Sequence, residues 1–399
     1  MVSKNTHNMA ILKHWFTSYF LSFFTSSLLL FVGFNVQTVE GFDPLKTLNF
    51  PEDVVVEVFS DQVPSARHIA FDDQGVMFLT QSREGRVTAL PDKNRDQKPD
   101  QLIPIMENRR MPHGLAFAEM NSGYYLFVAE EHQVVRMKRI AKPFKYGPPE
   151  TFVGNIPVGN HSTRTIKIHE SNLYLSVGSS CNICEEKNSL RATITKFHLK
   201  GGRGEVFARG LRNTVGIEFS PYTGELWGVN NGSDRMGDDF PREELNLIQQ
   251  GKHYGWPYCH NYRKPDPKFG RKMDCAETEN PIRTFTAHMA PLGLAFYQKG
   301  SLPSRYNHSI FIAFHGSWNR SIPAGYKIVR VILTDHGEIQ EQEDFITGFL
   351  GPNGNKIGRP VDVEESPEGD LYISDDYAGR VYRVRGRGYS KKEQKKNEY

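Results

Sequence analysis

The sequence predicts an all-β protein, a six-bladed β-propeller formed by a single domain. Three observations favour this fold. The chain of 399 residues contains 35 glycines, 23 prolines and 12% aromatic residues, a composition typical of turn-rich β proteins. A pattern of strand, turn and strand recurs six times, and the first four copies are spaced by roughly fifty residues, as propeller blades are. Six similar blocks favour a ring, in which each block packs on its neighbours, over a two-layer sandwich.

The repeats run through most of the chain. Each copy begins with an apolar strand, passes a turn and continues into a second apolar strand. The pairs are 70–71 with 76–79, 115–117 with 124–128, 165–168 with 173–177, 216–219 with 226–229, 293–296 with 310–313, and 361–363 with 371–374. Third strands are predicted at 86–90, 134–138, 327–333 and 380–384. Wider gaps before the last two copies predict insertions at 257–290 and 334–359, which usually build one face of a propeller.

The two ends of the chain differ from this body. Residues 15–36 carry no charge and follow Lys4 and Lys13, so residues 1–41 are predicted to be an export signal or an uncleaved membrane anchor, with cleavage favoured. The propeller is predicted over 42–386, followed by a basic tail over 387–399. We therefore expect a periplasmic or secreted protein that contacts a membrane only if the N-terminal segment is retained. The net charge of +3 lies largely in the tail, and no nucleic-acid partner is expected.

Four cysteines fit an oxidising compartment. Cys181 and Cys184 lie in a Cys-Asn-Ile-Cys motif, while Cys259 and Cys275 flank a polar loop, so two local disulfides are predicted. A haem would need a histidine directly after the motif, where Glu185 stands, and a structural zinc would need all four sulfurs to converge. A redox-active disulfide in the Cys-Asn-Ile-Cys motif is the remaining alternative.

Four motifs follow one another between residues 212 and 257. They are Arg212-Asn213, then Gly232-Ser233-Asp234, then residues 244–248 (ELNLI) and finally residues 254–257 (YGWP). In this order and spacing the chain resembles the glucose/sorbosone dehydrogenase family, quinoproteins that use pyrroloquinoline quinone (PQQ) on a six-bladed propeller. The resemblance implies a PQQ-dependent dehydrogenase with calcium-bound cofactor, oxidising a sugar or a sugar-derived aldehyde, either aldose or sorbosone-like. Electrons would then pass to an acceptor such as a cytochrome or a quinone.

The resemblance also implies roles for individual residues. His161, followed by an arginine three residues later, would be the general base. Arg212 would stabilise the developing oxyanion and Asn213 would fix the cofactor ring. Calcium would be bound by the backbone carbonyls of Gly232 and Ser233, with Asp234 adding charge.

Further cations lie at the starts of predicted blades, positions that meet near a propeller axis. Arg67, Arg109, Arg320 and Arg359 are expected to converge on one polyanion. The resemblance implies that Arg359 and Arg320, or Lys327 in place of Arg320, bind the carboxylates of PQQ, with Asp376 nearby.

The sequence departs from the family at one position and leaves other functions open. The carboxylate that usually supports the catalytic histidine is missing, and Ser179 stands at the end of the corresponding strand, so Glu185 or Glu186 would have to fold back to replace it. One alternative is a propeller lactonase or another metal-dependent hydrolase, although a ring of arginines argues against it. The other is a non-catalytic propeller that binds a glycan or a protein, which the missing acid favours.

Overall fold

The computed structural model of the protein describes residues 44–298 and 300–388. These residues form six antiparallel sheets of four main strands each, which confirms the predicted six-bladed propeller. Within these ranges there is no α-helix, and the only helical turns are 3-10 segments at Pro44–Lys46, Gly270–Lys272, Cys275–Glu277 and Ser304–Tyr306. Accordingly, no helix of this part of the chain has the length and apolarity to cross a membrane. The predicted signal or anchor and nearly all of the predicted basic tail lie outside the described residues.

The strands of the described residues are numbered in chain order. They are β1 (Val54–Ser60), β2 (Ala66–Phe71), β3 (Met77–Gln81), β4 (Arg86–Leu90), β5 (Ile103–Met106), β6 (Leu115–Met120), β7 (Gly123–Ala129), β8 (Val134–Ala141), β9 (Lys145–Tyr146), β10 (Glu150–Val153), β11 (Arg164–His169), β12 (Asn172–Val177), β13 (Thr193–His198), β14 (Glu205–Arg209), β15 (Thr214–Phe219), β16 (Leu226–Asn230), β17 (Glu243–Ile248), β18 (Cys259–His260), β19 (Lys264–Pro265), β20 (Arg283–Phe285), β21 (Pro291–Tyr297), β22 (Ser309–Phe314), β23 (Lys327–Leu333), β24 (Ile339–Ile346), β25 (Pro360–Glu365), β26 (Leu371–Asp375) and β27 (Arg380–Gly386).

The blades follow the chain from the axis outward. Blade 1 contains β2 to β5, blade 2 contains β6, β7, β8 and β10, and blade 3 contains β11 to β14. Blade 4 contains β15, β16, β17 and β20, and blade 5 contains β21 to β24. The fourth strands β20 and β24 lie within the two segments that the sequence predicts as insertions. The sequence does not predict them as strands because neither has an apolar pattern: β20 has only three residues, and much of β24 is exposed.

Blade 6 is closed by the first strand of the described residues. It contains β25, β26 and β27, and β1 adds to it as the outermost strand, with Val56 opposite Val384 in an antiparallel pair. Backbone hydrogen bonds between the first and the last strand of the propeller therefore close the ring and pair the outer edge of β27. The core lies between adjacent sheets. Phe311 and Tyr382, for example, are fully buried in one cluster between blades 5 and 6.

The inner strands β2, β6, β11, β15, β21 and β25 contact one another in a ring around the axis. Corresponding positions of neighbouring inner strands contact each other. At the starts of β6 and β11, Gly114 N donates to Arg164 O at 2.9 Å, and between β2 and β25 the Asp362 carboxylate accepts from Ile69 N at 2.8 Å. The inner strands therefore run in the same direction. The loops that precede them and the loops that follow each second strand consequently lie on one face of the ring, which we call the upper face.

Candidate functional site

The upper face carries the residues for which the sequence predicts a role. His161, Arg212 and Arg359 precede inner strands, and Arg67 is the second residue of one. The loops that follow second strands contain Asp234, Arg320 and Asp376. The repeat thus brings residues from distant parts of the chain to the same end of the ring.

His161 is held by Ser179 through one of its ring nitrogens. Nδ1 lies 2.9 Å from the Ser179 backbone oxygen and 3.0 Å from Ser179 Oγ. A carbonyl oxygen only accepts hydrogen bonds, and Ser179 Oγ already donates its own proton to Cys181 O at 2.7 Å. Nδ1 must therefore carry the proton, and the neutral ring keeps its lone pair on Nε2.

The surroundings of His161 disfavour its protonation. Burial, followed by the charge of Arg212, lowers the pKa of His161 to about 4, and the nearby guanidinium groups of Arg191 and Arg164 act in the same direction. The hydrogen bond to Ser179 O opposes this shift without cancelling it. At neutral pH the imidazole is accordingly uncharged and able to accept a proton.

Neither glutamate after the disulfide loop replaces the missing acid. Glu185 accepts from Tyr258 Oη at 3.2 Å and pairs with Lys272, while Glu186 accepts from the Ser180 hydroxyl at 2.8 Å. In the described residues no carboxylate is hydrogen-bonded to His161, so its support is the neutral serine alone.

Gly178 allows His161 and Asn213 to approach each other. A Cβ placed on this residue would lie 2.6 Å from Asn213 Oδ1 and 2.7 Å from His161 Cβ, which are shorter than real contacts. The two predicted site residues therefore flank the same backbone atom, one from blade 3 and the other from the start of blade 4.

Arg212 is buried and fully engaged. Its side chain is 4% exposed, Nη2 lies 2.7 Å from Asp234 Oδ2, and Nε and Nη2 donate to the backbone and side-chain oxygens of Asn182 at 3.0 and 2.9 Å. Burial lowers the pKa of Arg212, although the charge of Asp234 opposes this effect. Sequence reasoning missed Asn182. The signal that was available is its position between the two cysteines of the Cys-Asn-Ile-Cys motif.

The loop after β16 offers oxygen ligands. Glu243 is buried, accepts from Gly232 N at 2.8 Å and from Ala290 N at 3.1 Å, and so fixes the loop. Ser233 is fully buried, yet its Oγ has no hydrogen-bond partner. Asn319 Oδ1 is likewise buried and unpartnered, and the Nδ2 atom of the same side chain lies 3.3 Å from Asp234 Oδ1. Buried oxygens without a hydrogen-bond partner, and a carboxylate in the same loop, are the types of ligand that a hard cation such as calcium prefers.

A second cluster joins blades 1, 5 and 6. Asp376 accepts from Arg67 Nη1 at 2.9 Å and pairs with His315 Nε2 at 2.8 Å. Arg359 donates to the backbone oxygens of His315 and Gly316, both at 3.0 Å. The Arg67, Arg359 and Asp376 positions predicted from the sequence therefore lie in one group, which has two guanidinium groups and one carboxylate.

His315 is the member of this cluster that sequence reasoning missed. Burial lowers the pKa of His315 to about 4, although its hydrogen bond to Asp376 opposes the shift. For Asp376, burial acts to raise the pKa, but the hydrogen bond from His315 and the charges of His315 and Arg67 hold it below its ordinary value.

The other three predicted cations have partners of their own. Arg109 pairs with the buried Glu130, Lys327 Nζ lies 2.6 Å from Asp344, and Arg320 donates to the backbone oxygens of Asp238 and Ala287. Among the described residues, no hydrogen bond or ion pair links these three to the cluster around Asp376.

Both predicted disulfides are present, Cys181–Cys184 and Cys259–Cys275, and no cysteine is free. This confirms the local pairing that the sequence predicts.

Comparison with known proteins places the chain in a family. A family model described as TrAA12-like matches residues 48–387. The chain is 31% identical over 361 residues to an uncharacterized protein of Borreliella burgdorferi, which covers 87% of this chain and 93% of that protein. It is 22% identical over 392 residues to the pyrroloquinoline quinone-dependent sugar dehydrogenase of Hypocrea jecorina, covering 82% and 86% of the two chains.

Solved structures agree on the fold. The PQQ domain of pyranose dehydrogenase from Coprinopsis cinerea, in its holo form, superimposes with a TM-score of 0.73 at 22% identity, covering 85% of this chain and 97% of that one. The calcium structure of a family AA12 enzyme from Trichoderma reesei gives a TM-score of 0.75 at 21% identity, with the same coverage. The match over residues 48–387 shows that the chain belongs to the TrAA12-like family, a glucose/sorbosone dehydrogenase-like group of PQQ sugar dehydrogenases.

Proposed function

We propose that this protein is a PQQ-dependent dehydrogenase that oxidises a sugar or a sugar-derived aldehyde, with Nε2 of His161 as the base that accepts the proton of the substrate hydroxyl. The observation that carries the proposal is the bonding of Nδ1. Because Ser179 fixes the proton on Nδ1, the free lone pair of the neutral ring is on Nε2. The lowered pKa keeps the ring in this neutral form at physiological pH.

The two clusters divide the binding of the cofactor between them. The backbone carbonyls of Gly232 and Ser233, with the Asp234 carboxylate and the unpartnered Ser233 hydroxyl, would hold calcium. The guanidinium groups of Arg67 and Arg359 would bind carboxylates of PQQ. When bound, calcium-held PQQ would supply the two-electron acceptor that the reaction needs.

Arg109, Arg320 and Lys327 have a weaker claim to the cofactor. Arg67 and Arg359 also have partners, but those partners belong to the one cluster around Asp376. The three others are bonded outside this cluster, to Glu130, the Asp238 backbone and Asp344. We therefore propose Arg67 and Arg359 as the principal anion-binding residues.

Arg212 and Asn213 would act beside His161, where the substrate would react. Arg212 lies close enough to lower the His161 pKa and is held by Asp234, so it would present a fixed positive charge to a developing oxyanion. Asn213 lies across Gly178 from His161, in position to orient a bound ring by hydrogen bonding.

The hydrolase alternative requires side chains that hold a catalytic metal. In the described residues, one group of three histidine, cysteine, aspartate or glutamate side chains comes within metal-binding distance, namely Cys181, Cys184 and Glu186, and its two cysteines form a disulfide. A hydrolytic metal held by several carboxylates would need a different group, and residues 44–298 and 300–388 contain none within that distance.

The two disulfides also bear on the compartment in which the protein folds. Two disulfides indicate folding outside a reducing cytosol, so we propose a periplasmic or secreted enzyme that passes its electrons to a cytochrome or a quinone.

The proposal is tested on the protein purified from an exporting host, stripped with chelator and then titrated with PQQ and calcium. Dye reduction is followed with a panel of aldoses and aldehydes. We expect saturable PQQ binding that depends on calcium, and sugar-dependent reduction. His161→Asn should abolish turnover but keep PQQ binding, since asparagine tolerates the left-handed φ of 52° at this position.

The matched control is His198→Gln, because His198 is exposed at the end of β13. This variant should keep full activity. Absence of PQQ binding at micromolar concentration would overturn the dehydrogenase and leave the glycan-binding propeller, for which binding of the same sugars without turnover would be the expected result.

A further inference from the structure

The Cys-Asn-Ile-Cys loop makes more contacts to the site than any role above requires. Asn182 Oδ1 accepts from Arg212 Nη2 at 2.9 Å and from Asp234 N at 2.7 Å, and its Nδ2 donates to Asp234 O at 2.9 Å. Its backbone oxygen accepts from Arg212 Nε at 3.0 Å and from Trp256 Nε1 at 3.1 Å. Asn182 thus contacts the Arg212 guanidinium group, the backbone of Asp234 and the indole of Trp256.

The same loop also supports the base. Cys181 O accepts the hydroxyl proton of Ser179 at 2.7 Å, and this hydrogen bond leaves the Ser179 oxygen free to accept from His161 Nδ1. The supports of His161 and of Arg212 therefore come from consecutive residues, Cys181 and Asn182. The Cys181–Cys184 disulfide closes the loop around them.

We propose that Asn182 is a positioning residue for Arg212 and Asp234, and that the Cys181–Cys184 disulfide holds it in place, so that reduction of this disulfide disorders the site. The consequence for catalysis rests on the function proposed above. The positioning of Arg212 and Asp234 does not depend on it.

The two disulfides differ in their access to a reductant. Cys181 and Cys184 are both partly exposed, whereas Cys259 and Cys275 are 3% and 7% exposed. A dithiol reductant would attack the accessible pair first. The exchange transfers two electrons and two protons: the Cys181–Cys184 bond breaks to give two thiols, and the dithiol is oxidised to its own disulfide. A reductant should therefore open the Cys181–Cys184 disulfide first. The buried Cys259–Cys275 disulfide should stay intact under the same conditions and serves as the matched control.

Three forms of the full-length protein test the proposal: Asn182→Ala, the double variant Cys181→Ser/Cys184→Ser, and the wild type treated with dithiothreitol. Two readouts are independent of turnover. One is hydrogen–deuterium exchange of peptides covering residues 210–213 and 231–234. The other is calorimetric titration with calcium alone. We expect faster exchange in both peptides and calcium binding weakened by about tenfold or more, as for other residues that orient metal ligands.

The controls separate positioning from general damage. Cys259→Ser/Cys275→Ser should melt at a lower temperature but keep the exchange rates of these peptides and the calcium affinity. Dithiothreitol should have no added effect on Cys181→Ser/Cys184→Ser, and reoxidation of the wild type should restore it. If Asn182→Ala does not fold, reduction of the already folded wild type carries the test.

Unchanged exchange at 231–234 in folded Asn182→Ala or in the reduced wild type would overturn the positioning role. Equal responses of the two double cysteine variants would overturn the role of the Cys181–Cys184 disulfide. Absence of calcium binding in every form, with exchange altered as expected, would instead count against the proposed function and leave the positioning role supported.

Discussion

Lowering the pH from 7.5 to 5.5 should leave kcat/KM for the sugar almost unchanged if His161 is the base. Catalysis requires the neutral imidazole, and burial with the Arg212 charge lowers its pKa to about 4. With this value about 97% of the histidine is still neutral at pH 5.5. A histidine with the ordinary pKa of about 6.5 would fall from about 91% neutral to about 9%, a tenfold loss of kcat/KM. Activity should decline only as the pH falls through about 4.

The assay is steady-state dye reduction between pH 3.5 and 8 at saturating calcium and PQQ, with circular dichroism at each pH to confirm folding. His315 also has a pKa lowered to about 4, so the profile is repeated in His315→Gln. The acid limb should persist in that variant. An inflection near pH 6.5 in the wild type would refute the reasoning, because it would mean that the catalytic base is solvated or is another residue.

Three further predictions concern the packing of the site and the core. Gly178→Ala should lower activity by at least tenfold in a folded protein, since its Cβ would push apart the side chains on either side, whereas Gly154→Ala, which meets only a methyl group at 3.5 Å, should be neutral in the same assay. Asp376→Asn should lower the pKa of His315 still further in an NMR titration, because the carboxylate is what opposes the effect of burial, and an unchanged pKa would contradict the pairing. Phe311→Ala should reduce the free energy of unfolding by about 3 to 5 kcal/mol in denaturant titrations, since the ring is fully buried between blades, and a loss below about 1 kcal/mol would contradict that packing.

The blade repeat could be predicted because it is a local pattern. The third strands β4 and β23 have the predicted bounds, and all six strand pairs are found. The closing strand β1 was not predicted, although Val54–Ser60 is rich in β-favouring residues, because its partner β27 lies at the other end of the chain. Periodicity reports which residues share a face of a strand and says nothing about which distant strand completes a sheet.

The blade repeat also made the grouping of the site residues predictable, but it could not predict which residues they bond to. Starts of inner strands must meet at one face, so Arg67 and Arg359 could be expected together. Which partner a particular cation has depends on the direction of its side chain, and only the structure shows that Arg109 faces Glu130 and Lys327 faces Asp344. Asn182 and His315 were missed because an asparagine between cysteines and a histidine in a loop have many ordinary roles.

The neutral support of His161 has a consequence for the choice of substrate. A carboxylate in place of Ser179 would stabilise the imidazolium, whereas here the protonated ring would lie among Arg212, Arg191 and Arg164 in a buried position. His161 is therefore a weak base, and proton transfer to it is favourable only from a relatively acidic hydroxyl. The hydroxyl of a cyclic aldose or of an aldehyde hydrate is more acidic than that of a simple alcohol, because a second oxygen on the same carbon withdraws electrons.

We therefore expect kcat/KM for aldoses and aldehydes to exceed that for polyols of the same size, and the ratio to shrink in Ser179→Asp if that variant folds. The carboxylate would raise the pKa of His161 and so relax the demand for an acidic hydroxyl. A wild-type enzyme that oxidised polyols and aldoses equally well would show that the weak basicity of His161 does not govern the reaction.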